Sequence, residues 1–93
     1  MYKILVTGFE PYGNYDLNSS WVVAEKVATC VIDGVEIVIE QMPVSFSRVA
    51  YHLHNAVKRH NPNLIILLGQ SAASDCIKLE RTALNIMDSN SAD

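Results

Sequence analysis

Apolar residues change their spacing along this chain, and the changes mark out its elements. Lys3-Ile-Leu-Val-Thr7 is a short aliphatic run ended by Gly8, apolar on both faces, and predicts a strand buried from two sides. Gly8 to Ser19 gathers Gly, Pro, Asn and Asp, which predicts a long loop at the strand end. Asn18, Ser19 or Ser20 can cap the next helix, expected from about Ser20 to Thr29. There Trp21, Ala24, Ala28 and Val31 recur on one side, with Glu25 and Lys26 on the other. Asp33-Gly34 turns the chain into Val35 to Met42, β-branched and partly alternating, a second strand closed by Pro43. From Ser45 the helical period returns. Phe46, Val49, Ala50, Leu53, Ala56 and Val57 share a face, with Arg48, His52, His54, Asn55, Lys58 and Arg59 largely outside it, until Asn61-Pro62 stops the helix. Leu64 to Leu68 is the most buried-looking run and predicts a third strand, with Gly69 to Asp75 as its polar exit loop. Ile77 to Ile86 is expected to extend again, while Asp88 to Asp93 has no pattern of its own.

Strand, helix, strand, helix, strand at these connection lengths implies parallel strands joined by right-handed crossovers, an α/β three-layer sandwich. Ligands of such sheets bind outside the carboxyl ends of the strands. The loops Gly8 to Ser19, Pro43 to Ser45 and Gly69 to Asp75 would share that edge. At 93 residues the chain is one domain at most, and such a domain buries only about 60 to 65% of its unfolded surface. With 49% hydrophobic and 18% charged residues, disorder is excluded. A net charge of −3 without a basic stripe argues against nucleic acid as a partner. Leu64 to Leu68 is far too short to span a membrane. Ile4 to Val6 is too brief for a signal-peptide core, so a cytoplasmic location is expected. Cys30 and Cys76 provide no disulfide framework and are expected to be partly buried free thiols.

Candidate chemistry is sparse. Gly8 and Gly13 follow the first strand, but Asn14-Tyr15 stands where a phosphate-binding loop needs Lys then Ser or Thr. His52, His54 and His60 are offset by two and six residues, which does not pair ligands on one helical face, so they read as solvated helix residues and no metal is expected. Cys76 lacks an assignable base. Glu80 beside Arg81 is either a local ion pair or a carboxylate placed to orient a histidine. Phe9 and Tyr12 either pack over the helix start or wall a flat, uncharged ring. Gln70 either caps the third strand or offers a pocket amide that both donates and accepts.

Thr7-Gly-Phe-Glu-Pro-Tyr-Gly13 resembles the T-G-F-[ED]-P-F-G opening of the pyroglutamyl peptidase I, or pyrrolidone-carboxylate peptidase, family. Asn18-Ser-Ser-Trp21 is similar to its N-P-S-W, Met42-Pro-Val-Ser-Phe46 to its L-P-V-x-F, and Leu68-Gly-Gln70 to its V-G-Q. Leu79-Glu-Arg-Thr-Ala-Leu-Asn85 resembles its V-E-R-V-A-I-N. The resemblance implies the N-terminal part, residues 1–93, of a single α/β peptidase domain with a mostly parallel, phosphorylase/hydrolase-like sheet. It further implies a cytoplasmic thiol protease, a hydrolase without cofactor or metal, acting as a homo-oligomer on N-terminally pyroglutamylated peptides. On this resemblance Glu80 is the acid that orients the catalytic His, Phe9 and Tyr12 flank the lactam ring, and Gln70 lies next to the lactam group. The chain departs from the family at Ser71-Ala-Ala-Ser74, where two glycines and an arginine are lost from A-G-G-R. The family's Cys and His blocks come later and are not among these residues, so Cys76 is not assigned as nucleophile.

Overall fold

The computed structural model describes residues 1–11 and 16–69, with the side chain of Phe46 excepted. Its elements follow in the order β1 (Tyr2–Phe9), α1 (Ser19–Val27), β2 (Val35–Met42), α2 (Phe46–His60) and β3 (Leu64–Leu67). The expected strand Ile77 to Ile86 and the residues Tyr12, Gln70, Cys76 and Glu80 lie outside the described residues.

The three strands form a parallel sheet in the order β2-β1-β3. The register runs from Tyr2 opposite Val35 to Phe9 opposite Met42, and from Ile4 opposite Leu64 to Thr7 opposite Leu67. Because β2 and β3 flank β1 on opposite sides, right-handed crossovers must put the two helices on opposite faces. Side-chain alternation agrees. Leu5 and Phe9 pack with Val38 and Met42 against Val49, Leu53, Ala56 and Val57 of α2. Gly8, on the other face of β1, meets the backbone of α1 at Ser20 and Trp21. Leu5, Val6, Ala24, Met42 and Ala56 form the buried apolar core.

The C-terminal end of α2 follows from its sequence. Asn61 ends α2 in the left-handed region at φ 49°, its N–H bonded to the Val57 carbonyl, and Pro62 bars continuation. Lys3 Nζ donates to the His60 carbonyl at 3.0 Å, a cation at the negative end of the helix. Asn63 then acts as a first rung, accepting from Lys3 N–H through Oδ1 and donating its own N–H to the Lys3 carbonyl, both at 2.8 Å.

Helix α1 differs from the expected one. Its buried residues are Ser20 and Ala24, so of the expected stripe Trp21, Ala24, Ala28 and Val31 only Ala24 is fully buried, and Ser20 joins it. It ends at Val27, where Thr29 and Cys30 donate to carbonyls three residues back, leaving Ala28 exposed and Val31 97% exposed. Small residues win the inward positions because the helix backbone rests directly on Gly8. Cys30 is exposed, not partly buried, because it follows that helix end into solvent.

Candidate functional site

Beyond the last rung of the β1–β3 ladder, Leu68 N–H to the Thr7 carbonyl, the Phe9 N–H has lost its strand partner. It donates instead to Ser20 Oγ at 2.9 Å. Ser20 Oγ donates in turn to Asn18 Oδ1 at 2.5 Å, and the same oxygen caps α1 by accepting from Ser20 N–H at 3.0 Å. Asn18 Nδ2 reaches back to the Glu10 carbonyl at 3.5 Å. Asn18 and Ser20 are both buried, and among the described residues no buried side-chain polar atom lacks a partner. Such a satisfied network rigidifies what it joins.

Glu10 carries the network across the sheet edge. Its N–H donates to the Met42 carbonyl at 3.0 Å, and its Oε1 accepts from Val44 N–H at 3.2 Å. Arg48 of α2 approaches the same oxygen at 4.0 Å. Three separate stretches, residues 7–11, 18–21 and 42–46, are thus bound into one frame at the carboxyl ends of β1 and β2. The exits of these neighbouring strands depart to opposite faces, which opens a crevice between them. A half-open cleft of about 330 Å³ lies there, lined by Glu10, Gln41, Pro43, Arg48, Tyr51 and His52.

Phe9 is partly buried and packs against the Leu5, Met42 and Ala56 cluster. His52 and His60 are not simply solvated. With Arg59 they surround Glu40 of β2, whose carboxylate lies 2.8 Å from Arg59 Nη2, 3.1 Å from His60 Nε2 and 3.8 Å from His52 Nε2. His54 is exposed, as expected. Pairwise offsets among the three histidines concealed the cluster because its centre is on a strand; the signal was the offset of eight between His52 and His60, just over two turns. No group of three His, Cys, Asp or Glu among the described residues is arranged to hold a metal ion, and none of their helices is long and apolar enough to cross a membrane.

The sequence profile of the pyroglutamyl peptidase family matches residues 2–93. The chain belongs to the pyroglutamyl peptidase family. The pyrrolidone-carboxylate peptidase of Thermococcus kodakarensis is 42% identical over 91 residues, which make up 98% of this chain and 44% of the relative. The Yersinia pestis enzyme of the same name is 34% identical over 93 residues, 43% of its length. The chain therefore spans less than half the length of these curated relatives. Among solved structures, the pyrrolidone carboxyl peptidase of Fervidobacterium islandicum superposes with a TM-score of 0.87 at 31% identity, covering 97% of this chain and 43% of that one. Pyroglutamyl peptidase I from Bacillus amyloliquefaciens gives 0.69 at 36% identity over 75% of this chain and 33% of that one. The parallel α/β sheet is therefore a pyroglutamyl peptidase sheet, and the frame joins three of the five blocks by which the sequence resembles that family.

Proposed function

We propose that this chain supplies one part of a cysteine exopeptidase that removes N-terminal pyroglutamate from peptides. The carrying observation is the family match over residues 2–93, set beside a hydrogen-bonded frame that gathers three of the family's blocks at one sheet edge. In this reading residues 1–93 are the N-terminal part of a single peptidase domain. Phe9 and Tyr12 wall the lactam ring and Gln70 hydrogen-bonds the lactam group, because a neutral ring needs apolar walls and a few placed polar groups rather than an ion pair. Glu80 orients the histidine that serves as general base. The thiol and that histidine belong to blocks outside these 93 residues. The protein acts in the cytoplasm as a homo-oligomer, without a cofactor.

Triad members act as a unit, so the chain alone should release no product from a pyroglutamyl-anilide. Co-expression with a polypeptide carrying the Cys and His blocks should restore release, and Glu80→Gln in the restored pair should lower kcat more than it changes KM. Hydrolysis by the chain alone that disappears in Cys76→Ser would overturn this assignment of roles. A restored pair indifferent to Glu80→Gln would remove Glu80 from the triad. The alternative, a non-catalytic α/β binding module, predicts that no co-expressed polypeptide restores activity.

A further inference from the structure

We infer that the cleft between the exits of β1 and β2 is a carboxylate-binding subsite, in which Arg48 recognises a carboxylate carried on the peptide beyond its pyroglutamyl residue. The substrate class rests on the reading above; the subsite rests on the cleft. At about 330 Å³ the cleft lies at the small end of ligand pockets, room for about one residue rather than an extended chain. Gln41, Arg48, Tyr51 and His52 lie outside the blocks of family resemblance, so nothing in that resemblance assigns them a task. Glu10 lines the cleft and follows Phe9 in the chain, so the cleft and the proposed ring wall share the exit of β1.

The charges in the cleft are unequally engaged. Glu10 Oε1 is held by Val44 N–H, and His52 Nε2 lies 3.8 Å from the Glu40 carboxylate. The Arg48 side chain is 67% exposed, and among the described residues its guanidinium meets only Glu10, at 4.0 Å. An exposed pair at that distance holds an arginine weakly. A guanidinium so placed can turn two parallel N–H groups to an incoming carboxylate, the geometry its planar fork matches best. Tyr51, exposed and three residues on from Arg48 in α2, lines the same cleft and carries a neutral hydroxyl able to donate. Glu10 repels a second anion, which keeps the affinity modest. A carboxylate at that point of a substrate has two sources: an acidic side chain following pyroglutamate, or the free C-terminus of a pyroglutamyl dipeptide.

Titration calorimetry on the 93-residue chain separates them. Pyroglutamyl-alanine, with a free C-terminus, and pyroglutamyl-glutamate amide should each bind about fivefold to tenfold tighter than pyroglutamyl-alanine amide, the advantage of one charge-assisted contact. Only the first binding tighter identifies the C-terminus as the source, and only the second identifies the side chain. Arg48→Ala, on an exposed helix position with its fold checked by circular dichroism, should bind all three equally, while Arg48→Lys retains part of the preference. Equal affinities in the parent chain, a preference that survives Arg48→Ala, or no binding of any peptide to the folded chain overturns the subsite. Acetyl-alanyl-glutamate keeps the two readings apart. Binding as strong as that of the pyroglutamyl peptides, and dependent on Arg48, would keep the subsite and defeat the lactam reading. Preference for the lactam without preference for a carboxylate would do the reverse.

Discussion

Gly8 is the point at which α1 touches the sheet, and alanine there isolates that contact. A Cβ at position 8 would lie 2.7 Å from the Ser20 carbonyl oxygen, 2.8 Å from its carbon and 2.8 Å from Trp21 Cα. All three are backbone atoms, so no rotamer change relieves the overlap. The helix must move bodily by roughly 0.7 Å to reach ordinary carbon contact distance. Overpacking of this kind costs about 1 to 3 kcal/mol. The same shift strains the Phe9 to Ser20 and Asn18 to Glu10 hydrogen bonds, each worth about 1 kcal/mol. With both bonds lost the expected loss is about 3 to 5 kcal/mol, a large share of the roughly 5 to 15 kcal/mol that holds a small domain folded. Urea denaturation followed by circular dichroism reads it directly: with slopes of about 1 to 3 kcal/mol per molar, the midpoint should fall by at least about 1 M. Gly34→Ala is the control. Gly34 has φ 75° but no atom within 4 Å of an added Cβ, so only backbone strain of about 1 to 2 kcal/mol applies. A loss at Gly8 below about 1 kcal/mol, or no larger than that at Gly34, would refute the close-contact reasoning.

Asn18→Ala deletes the α1 cap and the links to Ser20 Oγ and the Glu10 carbonyl, and the same denaturation should lose about 1 to 2 kcal/mol; an unchanged midpoint would reject the role of Asn18 in the frame. A double-mutant cycle of Glu40→Gln with Arg59→Met should give a coupling of only about 0.2 to 1 kcal/mol, because Arg59 is 57% exposed. That coupling should shrink in high salt, and a salt-independent value would mean that the pair acts through packing. The isolated chain should self-associate through β3, where Leu64, Ile65, Ile66 and Leu67 are each 39 to 56% exposed at the edge of the sheet formed by the described residues. Sedimentation velocity should show a mass that rises with concentration and falls in Ile65→Lys; a strictly monomeric parent chain rejects this.

What the sequence disclosed follows from how local each signal is. The second strand ran from Val35 to Met42 as its β-branched pattern required, and α2 ended at Asn61-Pro62 because backbone chemistry alone dictates that stop. The first strand proved longer than its aliphatic run, since Gly8 and Phe9 stay in register with Gln41 and Met42 despite reading as loop residues. The inward face of α1 was read correctly at Ala24 but not at Ser20, because hydrophobicity favours Trp21 whereas the approach of two backbones at Gly8 selects a small residue. That selection is set by a residue twelve positions away, which no helical period encodes. Glu40 likewise shows only as one polar residue of a strand until α2 folds over it. The proposed site was legible differently: blocks of family resemblance marked its position, while the roles of Asn18, Ser20 and Glu10 within them needed coordinates.

Why those blocks, and not the strands, carry the recognisable pattern has a physical answer in the sheet edge. Parallel crossovers deliver every strand exit to the same side, so the end of β1, the start of α1 and the end of β2 meet although they are far apart in sequence. Each brings backbone groups that secondary structure has left unpaired: the Phe9 N–H past its ladder, the first N–H groups of α1, and the Val44 N–H past β2. Pairing them demands particular atoms at particular places, which Asn18, Ser20 and Glu10 supply, and demands the missing Cβ of Gly8 to let the helix approach. The strand interiors ask only for apolar volume of about the right size, a requirement that many sequences satisfy. A backbone that superposes at a TM-score of 0.87 on a relative of 31% identity fits that division of labour. Substitutions in the frame should therefore cost specific hydrogen bonds and helix placement, and through Glu10 and Val44 they should reach the cleft, whereas volume-conserving changes inside the strands should leave its geometry alone.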